Sequence, residues 1–160
     1  MPSINLTAPI NNLGYGRVGL NVLKALNKLD VDVSLFPLGK PDAENDEDNK
    51  TVTECLQRSL KYNPYASSVK IWHQNDLAQH PGRGKKIGFP IFELNDFSEQ
   101  EKHQLKCMDA IIVCSHWAKH IINQRIPDLK VYVAPLGVDR SIFDDSKSTF
   151  RRDGARTIFL

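Results

Sequence analysis

Two short stretches carry residue types that could do chemistry. In LGYGRVGLNVLKAL, residues 13–26, Gly14, Gly16 and Gly19 spell G-x-G-x-x-G, with Tyr15 and Arg17 among them. In WHQND, residues 72–76, His73 sits at the carboxyl end of a strand candidate and is followed by Gln74, Asn75 and Asp76. Small residues let a backbone approach a ligand closely, and a helix start offers unpaired amides and positive potential to an anion. An imidazole at a strand end can hold or move a proton. Glu93 occupies the equivalent place after the next strand candidate, so His73 and Glu93 each stand at the edge where ligands bind and are candidate site residues. Gly14, Tyr15, Gly16 and Arg17 are the candidate phosphate or cleft residues.

Each has a plainer reading. The glycines also suit a tight turn that packs the first helix on the sheet. Arg17 suits either a charge-assisted bond to an anion or a solvated surface. His73 and Glu93 suit a buried structural role or a loop cap as well as a site at a strand end. A nicotinamide dinucleotide demands more than three glycines: the first should follow the strand almost at once, and an acidic residue should end the second strand. Here Pro9 to Leu13 intervene between Ala8 and Gly14, while Asp30 and Asp32 stand where the second strand starts and Pro37 and Leu38 where it leaves. A dinucleotide is therefore disfavoured.

Other constellations fail on spacing. His116 and His120 are four apart on a helix candidate, but Trp117 stands where a zinc protease carries its glutamate. Asp30 and Asp32 resemble a metal-holding Asp-x-Asp, yet they open a strand. The acidic run at Asp42, Glu44, Asp46 and Asp48 has Glu47 where a calcium loop needs glycine and Thr53 where it needs glutamate. GRGKK, residues 82–86, lacks the spacing and hydroxyl of a P-loop. No metal site is expected.

The elements that position these residues alternate. Strand candidates cover residues 4–8, 31–38, 69–73, 86–93, 109–114 and 130–139. The first helix places Val18, Val22, Leu26 and Leu29 on one face. An acidic loop over residues 40–50, expected to bury nothing, precedes a helix over residues 51–62. SEQE, residues 98–101, has the form of a capping box that opens a helix to about Cys107. The unbroken apolar run 109–114 suits a parallel strand covered on both faces, with Cys114 expected in the core. Ser115 is expected to cap a helix to about Asn123, with Trp117 and Ile121 on one side. The pattern predicts an α/β fold, a doubly wound, mostly parallel Rossmann-like sheet whose ligands sit at the carboxyl ends of its strands.

The chain of 160 residues suits one ordinary domain, and a net charge of +2 is too balanced for a nucleic-acid scavenger or a polybasic membrane binder. No apolar run approaches the roughly 20 residues of a membrane span, and the start lacks a secretory signal. The three cysteines, Cys55, Cys107 and Cys114, are irregularly spaced, which suits reduced thiols. A cytoplasmic protein is the expectation. A polar stretch at 144–154 leads to ARTIFL, residues 155–160, which reads as the first strand of a truncated second domain.

DAIIVCSHWAKHIINQ, residues 109–124, and VYVAPLGVDRSIF, residues 131–143, resemble the retaining glycosyltransferases of GT-B fold, of the group-one, family-four type. In that family an Asp, an apolar run, a Ser and a helix precede a strand ending Pro-x-Gly-Val-Asp-x-x-x-Phe, which closes the N-terminal domain. The glycine loop and GFPIFELND, residues 88–96, agree more weakly, and the likeness extends from Asn11 to Phe143. It implies that residues 1–143 are the acceptor-side half of a GT-B architecture and residues 144–160 a linker and the start of a C-terminal Rossmann-like domain. It further implies a nucleotide-sugar donor as substrate, no cofactor, no metal, and an acceptor the sequence leaves open. Gly14 and Gly16 would turn amides toward the donor phosphates. His73 or Glu93 would face the transferred sugar or the acceptor; Asn75, Asp76, Ser115 and His116 would line the acceptor side or cleft rim. Gly137 and Asp139 would shape the interdomain turn. Without its partner domain the fragment is expected to be inactive. The competing reading is a non-catalytic α/β module that binds an anion or a partner.

Overall fold

The computed structural model describes residues 1–138. Asp139, the rest of the Pro135–Phe143 signature and the stretch 144–160 lie outside the described residues. In chain order the elements are β1 (Ser3–Ala8), α1 (Gly14–Lys28), β2 (Asp32–Pro37), α2 (Asp46–Ser59), β3 (Ser67–Ile71), β4 (Lys86–Phe89), α3 (Glu99–Lys106), β5 (Ala110–Val113), α4 (His116–Arg125) and β6 (Val131–Val133). The six strands form one parallel sheet in the order β2-β1-β3-β4-β5-β6. With helices on both faces, this is the Rossmann-like, doubly wound α/β fold.

Alternate residues of a strand face opposite sides, so register assigns each face. On one face Leu6, Ala8, Val33, Leu35, Val69, Ile71 and Phe89 share a core with Leu20 and Leu23 of α1 and Val52 and Cys55 of α2. The opposite face carries one cross-sheet row, Thr7, Lys70, Gly88, Ile111 and Val131. Its β4–β6 half is apolar: Ile111, Val113 and Val131 pack with Leu105 of α3, with Ala118, Ile121 and Ile122 of α4, and with Leu77. Its β1–β3 half is polar, with Asn5, Thr7, Ser34, Ser68 and Lys70 all buried. Buried polar groups need partners. Asn5 donates to the Asn63 carbonyl at 3.0 Å, and Ser68 Oγ meets His80 Nδ1 at 2.8 Å.

Several local expectations change. The stretch read as an acidic loop burying nothing contains the first turns of α2, and Ala43 and Asp48 are buried. Asn45 caps that helix, accepting from the Asp48 amide at 2.8 Å, and Asp46, Glu47 and Asp48 lie in the first turn, where the helix dipole favours carboxylates. Lys24 of α1 meets Asp48 at 2.7 Å. On α1 the fully buried stripe is Gly16, Gly19, Leu20 and Leu23; Val18, Val22 and Leu26 flank it and Leu29 is exposed. Cys114, expected in the core, is only half-buried because β5 ends at Val113. Trp117 is about half-exposed while Ile121 is buried, so the two do not share one buried side. The capping box at Ser98 and Glu101 is present as read.

The glycines of α1 do different things. A Cβ on Gly16 would overlap the side chain and backbone of Asn11, and one on Gly19 would overlap the Pro9 carbonyl and stand 3.0 Å from Ala8 Cβ. A Cβ on Gly14 would meet nothing within 4 Å. Gly16→Ala and Gly19→Ala should each lose about 1–3 kcal/mol in urea unfolding. Gly14→Ala should be neutral or slightly stabilising, since alanine is the better helix former.

Candidate functional site

In a sheet of this order the connections run in opposite directions from β1 and β3, and the crevice at their carboxyl ends is where such folds bind ligands. The loop after β1 leads into α1, and the loop after β3 begins Trp72, His73, Gln74. These two meet. The Tyr15 ring lies 4.6 Å from the His73 ring and 5.4 Å from Trp72, and Trp72 lies 4.9 Å from His73. The Tyr15 hydroxyl donates to the Ile91 carbonyl, just beyond β4, at 2.5 Å, and stands 3.3 Å from His73 Nδ1. Burial pushes the Tyr15 phenol above its ordinary range, against the Ile91 hydrogen bond; the nearby Cys114 adds to the rise. The phenol stays protonated at neutral pH.

The opening of α1 is uncapped. Leu13 precedes the helix with no side-chain cap, no acidic residue stands in the first turn, and Asn11 accepts from the Leu13 amide at 2.9 Å instead of from the helix. Helix starts leave amides without intrahelical partners, and the Gly14–Gly16 turn carries them at the edge of the sheet. Arg17 is not free beside them: its guanidinium forks onto the Glu44 carboxylate, one arm at 2.7 Å, with both groups roughly half-exposed. An anion there would compete with Glu44 for Arg17.

The remaining predicted residues lie on loops or a helix start beyond the strands' carboxyl ends, and hydrogen bonds place several in structural roles. Asn75 is exposed. Asp76 is tied to Lys70 at 3.2 Å; the Lys70 side chain is 3% exposed and that of Asp76 is 54% exposed. Ser115 caps α4, accepting from the Ala118 amide at 3.1 Å, and His116, the first residue of that helix, is exposed. Glu93 is exposed four residues beyond β4, and no hydrogen bond joins it to His73 or Tyr15 among the described residues. Gly137 is exposed, with open space about its Cα. Tyr15 and His73 are thus in contact, while Glu93 and the rim residues stand apart from them.

No helix connects β3 to β4. The 72–85 connection is held by α3 instead: Gln104 Oε1 accepts from the Leu77 and Ala78 amides at 3.0 and 2.7 Å, and Gln74 donates to Glu101 at 2.8 Å. Partial burial works against the Glu101 charge, yet bonds from Ser98 and Gln74 hold its carboxyl below the ordinary range. A shallow hollow lined by Asp32, Ser34, Glu54, Gln57, Arg58 and Lys61 begins at the opposite, amino end of β2. There Arg58 is already shared among Asn27, Asp32 and Glu54, so the chemistry favours the switch point.

Sequence reasoning missed Trp72, the Ile91 carbonyl, Glu44 and Lys70. Trp72 and Lys70 left a signal, an aromatic beside His73 and a charge inside an apolar run. The other two are long-range partners with none. Among the described residues no group of three or more His, Cys, Asp or Glu could hold a metal, and no helix is long and apolar enough to cross a membrane. Comparisons with family models, curated proteins and solved structures return no match for this chain.

Two stability predictions follow from the polar floor. Asp76→Ala strands the buried Lys70 ammonium and should cost about 3 kcal/mol in urea unfolding, whereas Lys70→Met should cost less, because it leaves no buried charge unpaired. Burial, then Lys70 and Lys86, push the His80 imidazole down to about 4. The unfolded chain therefore holds the extra proton first, and stability should fall as pH drops from about 6.5 toward 4. Thermal midpoints measured across that window should fall less steeply in His80→Gln.

Proposed function

We propose that this chain is the acceptor-side domain of a nucleotide-sugar glycosyltransferase of GT-B type, acting with retention and without metal. The observation that carries the reading is the uncapped start of α1 at the topological switch point, with His73 in ring contact with Tyr15 of its first turn. The resemblance of residues 109–143 supplies the reaction class and the stereochemistry. The nucleotide-sugar would lie across this edge, its diphosphate toward the Gly14–Gly16 amides and a second, C-terminal domain. As the glycosidic bond breaks, negative charge grows on the leaving diphosphate. Fixed amides at a helix start meet that charge without reorganising. His73 would face a hydroxyl of the transferred sugar or of the acceptor. Glu93 remains a candidate on the adjacent loop, without a contact that ties it to the pair. The compartment in this reading is the cytoplasm, where nucleotide-sugars would reach an open sheet edge.

The test is a hydrolysis and transfer screen with UDP-, GDP- and ADP-sugars, run on the 160-residue chain and on the product of the whole reading frame. Turnover by the longer product and none by the shorter is expected. In the longer product His73→Ala should lower turnover by about 10²-fold. Gly14→Asp should raise thermal stability slightly, by complementing the helix dipole, while weakening donor binding. No consumption of any nucleotide-sugar by the longer product would remove the reading and favour a non-catalytic anion- or partner-binding module.

A further inference from the structure

The bond between Tyr15 and His73 fixes more than a distance. A phenol has one hydrogen, and a backbone carbonyl can only accept. Since the Tyr15 hydroxyl donates to the Ile91 carbonyl, its oxygen has only acceptor capacity left to offer His73 Nδ1. Nδ1 must then carry the ring proton. In a neutral imidazole the other nitrogen is the acceptor, so Nε2 is left with its lone pair and carries no proton. Burial keeps the phenol protonated, so the donor to Ile91 is not lost at neutral pH. The rings add a second restraint, because Tyr15 and Trp72 both lie against His73 and limit its rotation.

We propose that Tyr15 is a positioning residue that holds His73 as the Nδ1–H tautomer and presents Nε2 as a hydrogen-bond acceptor to a ligand hydroxyl. As a claim about sugar hydroxyls this rests on the glycosyl-transfer reading; as a claim about the tautomer it does not. An acceptor nitrogen discriminates by chemistry. It takes a hydroxyl, which can donate, and repels a phosphate or carboxylate oxygen, which cannot. The two halves of the site thereby divide the ligand: the amides of the α1 start take its anionic part and Nε2 its hydroxylated part. Tyr15 is also the residue that ties the β1 and β3 loops to the end of β4, so the acceptor is aimed by three strands at once.

Long-range proton–nitrogen NMR correlations on the 160-residue chain, at a pH where imidazoles are neutral, read the tautomer directly, with His73→Gln identifying the signals. In the parent chain His73 should show a protonated, pyrrole-type Nδ1 and an unprotonated, pyridine-type Nε2. Tyr15→Phe keeps the ring packing and removes the oxygen, so both nitrogen shifts should move toward averaged values while the thermal midpoint changes by only a few degrees. A protonated Nε2 in the parent chain, or unchanged His73 shifts in Tyr15→Phe, would overturn the proposal. The parent measurement decides it even where the variant folds poorly. In the product of the whole reading frame, Tyr15→Phe should lower kcat/KM about tenfold and cost nothing further when added to His73→Ala. Losses that multiply would place Tyr15 outside the action of His73 and defeat the positioning role. The spectrum needs no nucleotide-sugar, so failure of the glycosyl-transfer reading leaves the tautomer test intact.

Discussion

The close approach of α1 to the chain segment that precedes it is the constraint on which the site depends. Gly16 and Gly19 lie against Asn11 and Pro9 with no room for a Cβ, so the first turns of the helix approach the segment after β1 more closely than any larger residue at these two positions would allow. That depth sets where the first turn ends up. Tyr15, one residue before the closest contact, reaches across the sheet edge to the Ile91 carbonyl beyond β4. A helix held further out would leave Tyr15 short of it and His73 without its Nδ1 partner. Gly14, which opens the helix ahead of Gly16 and Gly19, has open space where a Cβ would stand.

The same sheet accommodates a polar floor beneath the site. Lys70 and Ser68 project from β3 away from the α1 and α2 core, under the connection that carries His73. Their partners, Asp76 and His80, lie on that connection. A purely apolar face would bury more hydrophobic area, but it would offer the loop none of these directional partners. Polar pairs here act on position more than on net stability. The loop after β3 is fixed from below by Lys70 and Ser68 and from the side by α3.

Much of the architecture was legible in the residue order. Alternation of apolar runs with helical periodicity gave the α/β class, SEQE opened α3 as read, and Ser115 capped α4 as read. The start of α2 was not legible, because three consecutive acids look like a solvated loop until Asn45 is recognised as their cap. The glycine pattern was legible as a close approach but not as to what approaches. Gly16 and Gly19 face Asn11 and Pro9, backbone that precedes them, and only the turn geometry reveals it. His73 stands out in the sequence by its place at a strand end. Tyr15 was found only as a neighbour of the glycines, since its 58-residue reach to His73 leaves no local trace.

The hold of α3 on the 72–85 connection has a dynamic corollary. One oxygen, Gln104 Oε1, receives two loop amides, and Glu101 both closes its own helix's capping box and accepts from Gln74. The Leu77 and Ala78 amides have their acceptor on α3, and α3 has its capping glutamate in common with the loop. The two therefore belong to one cooperative unit: amide exchange at Leu77 and Ala78 is gated by opening of a helix remote in sequence, and fraying of that helix loosens the segment that carries His73.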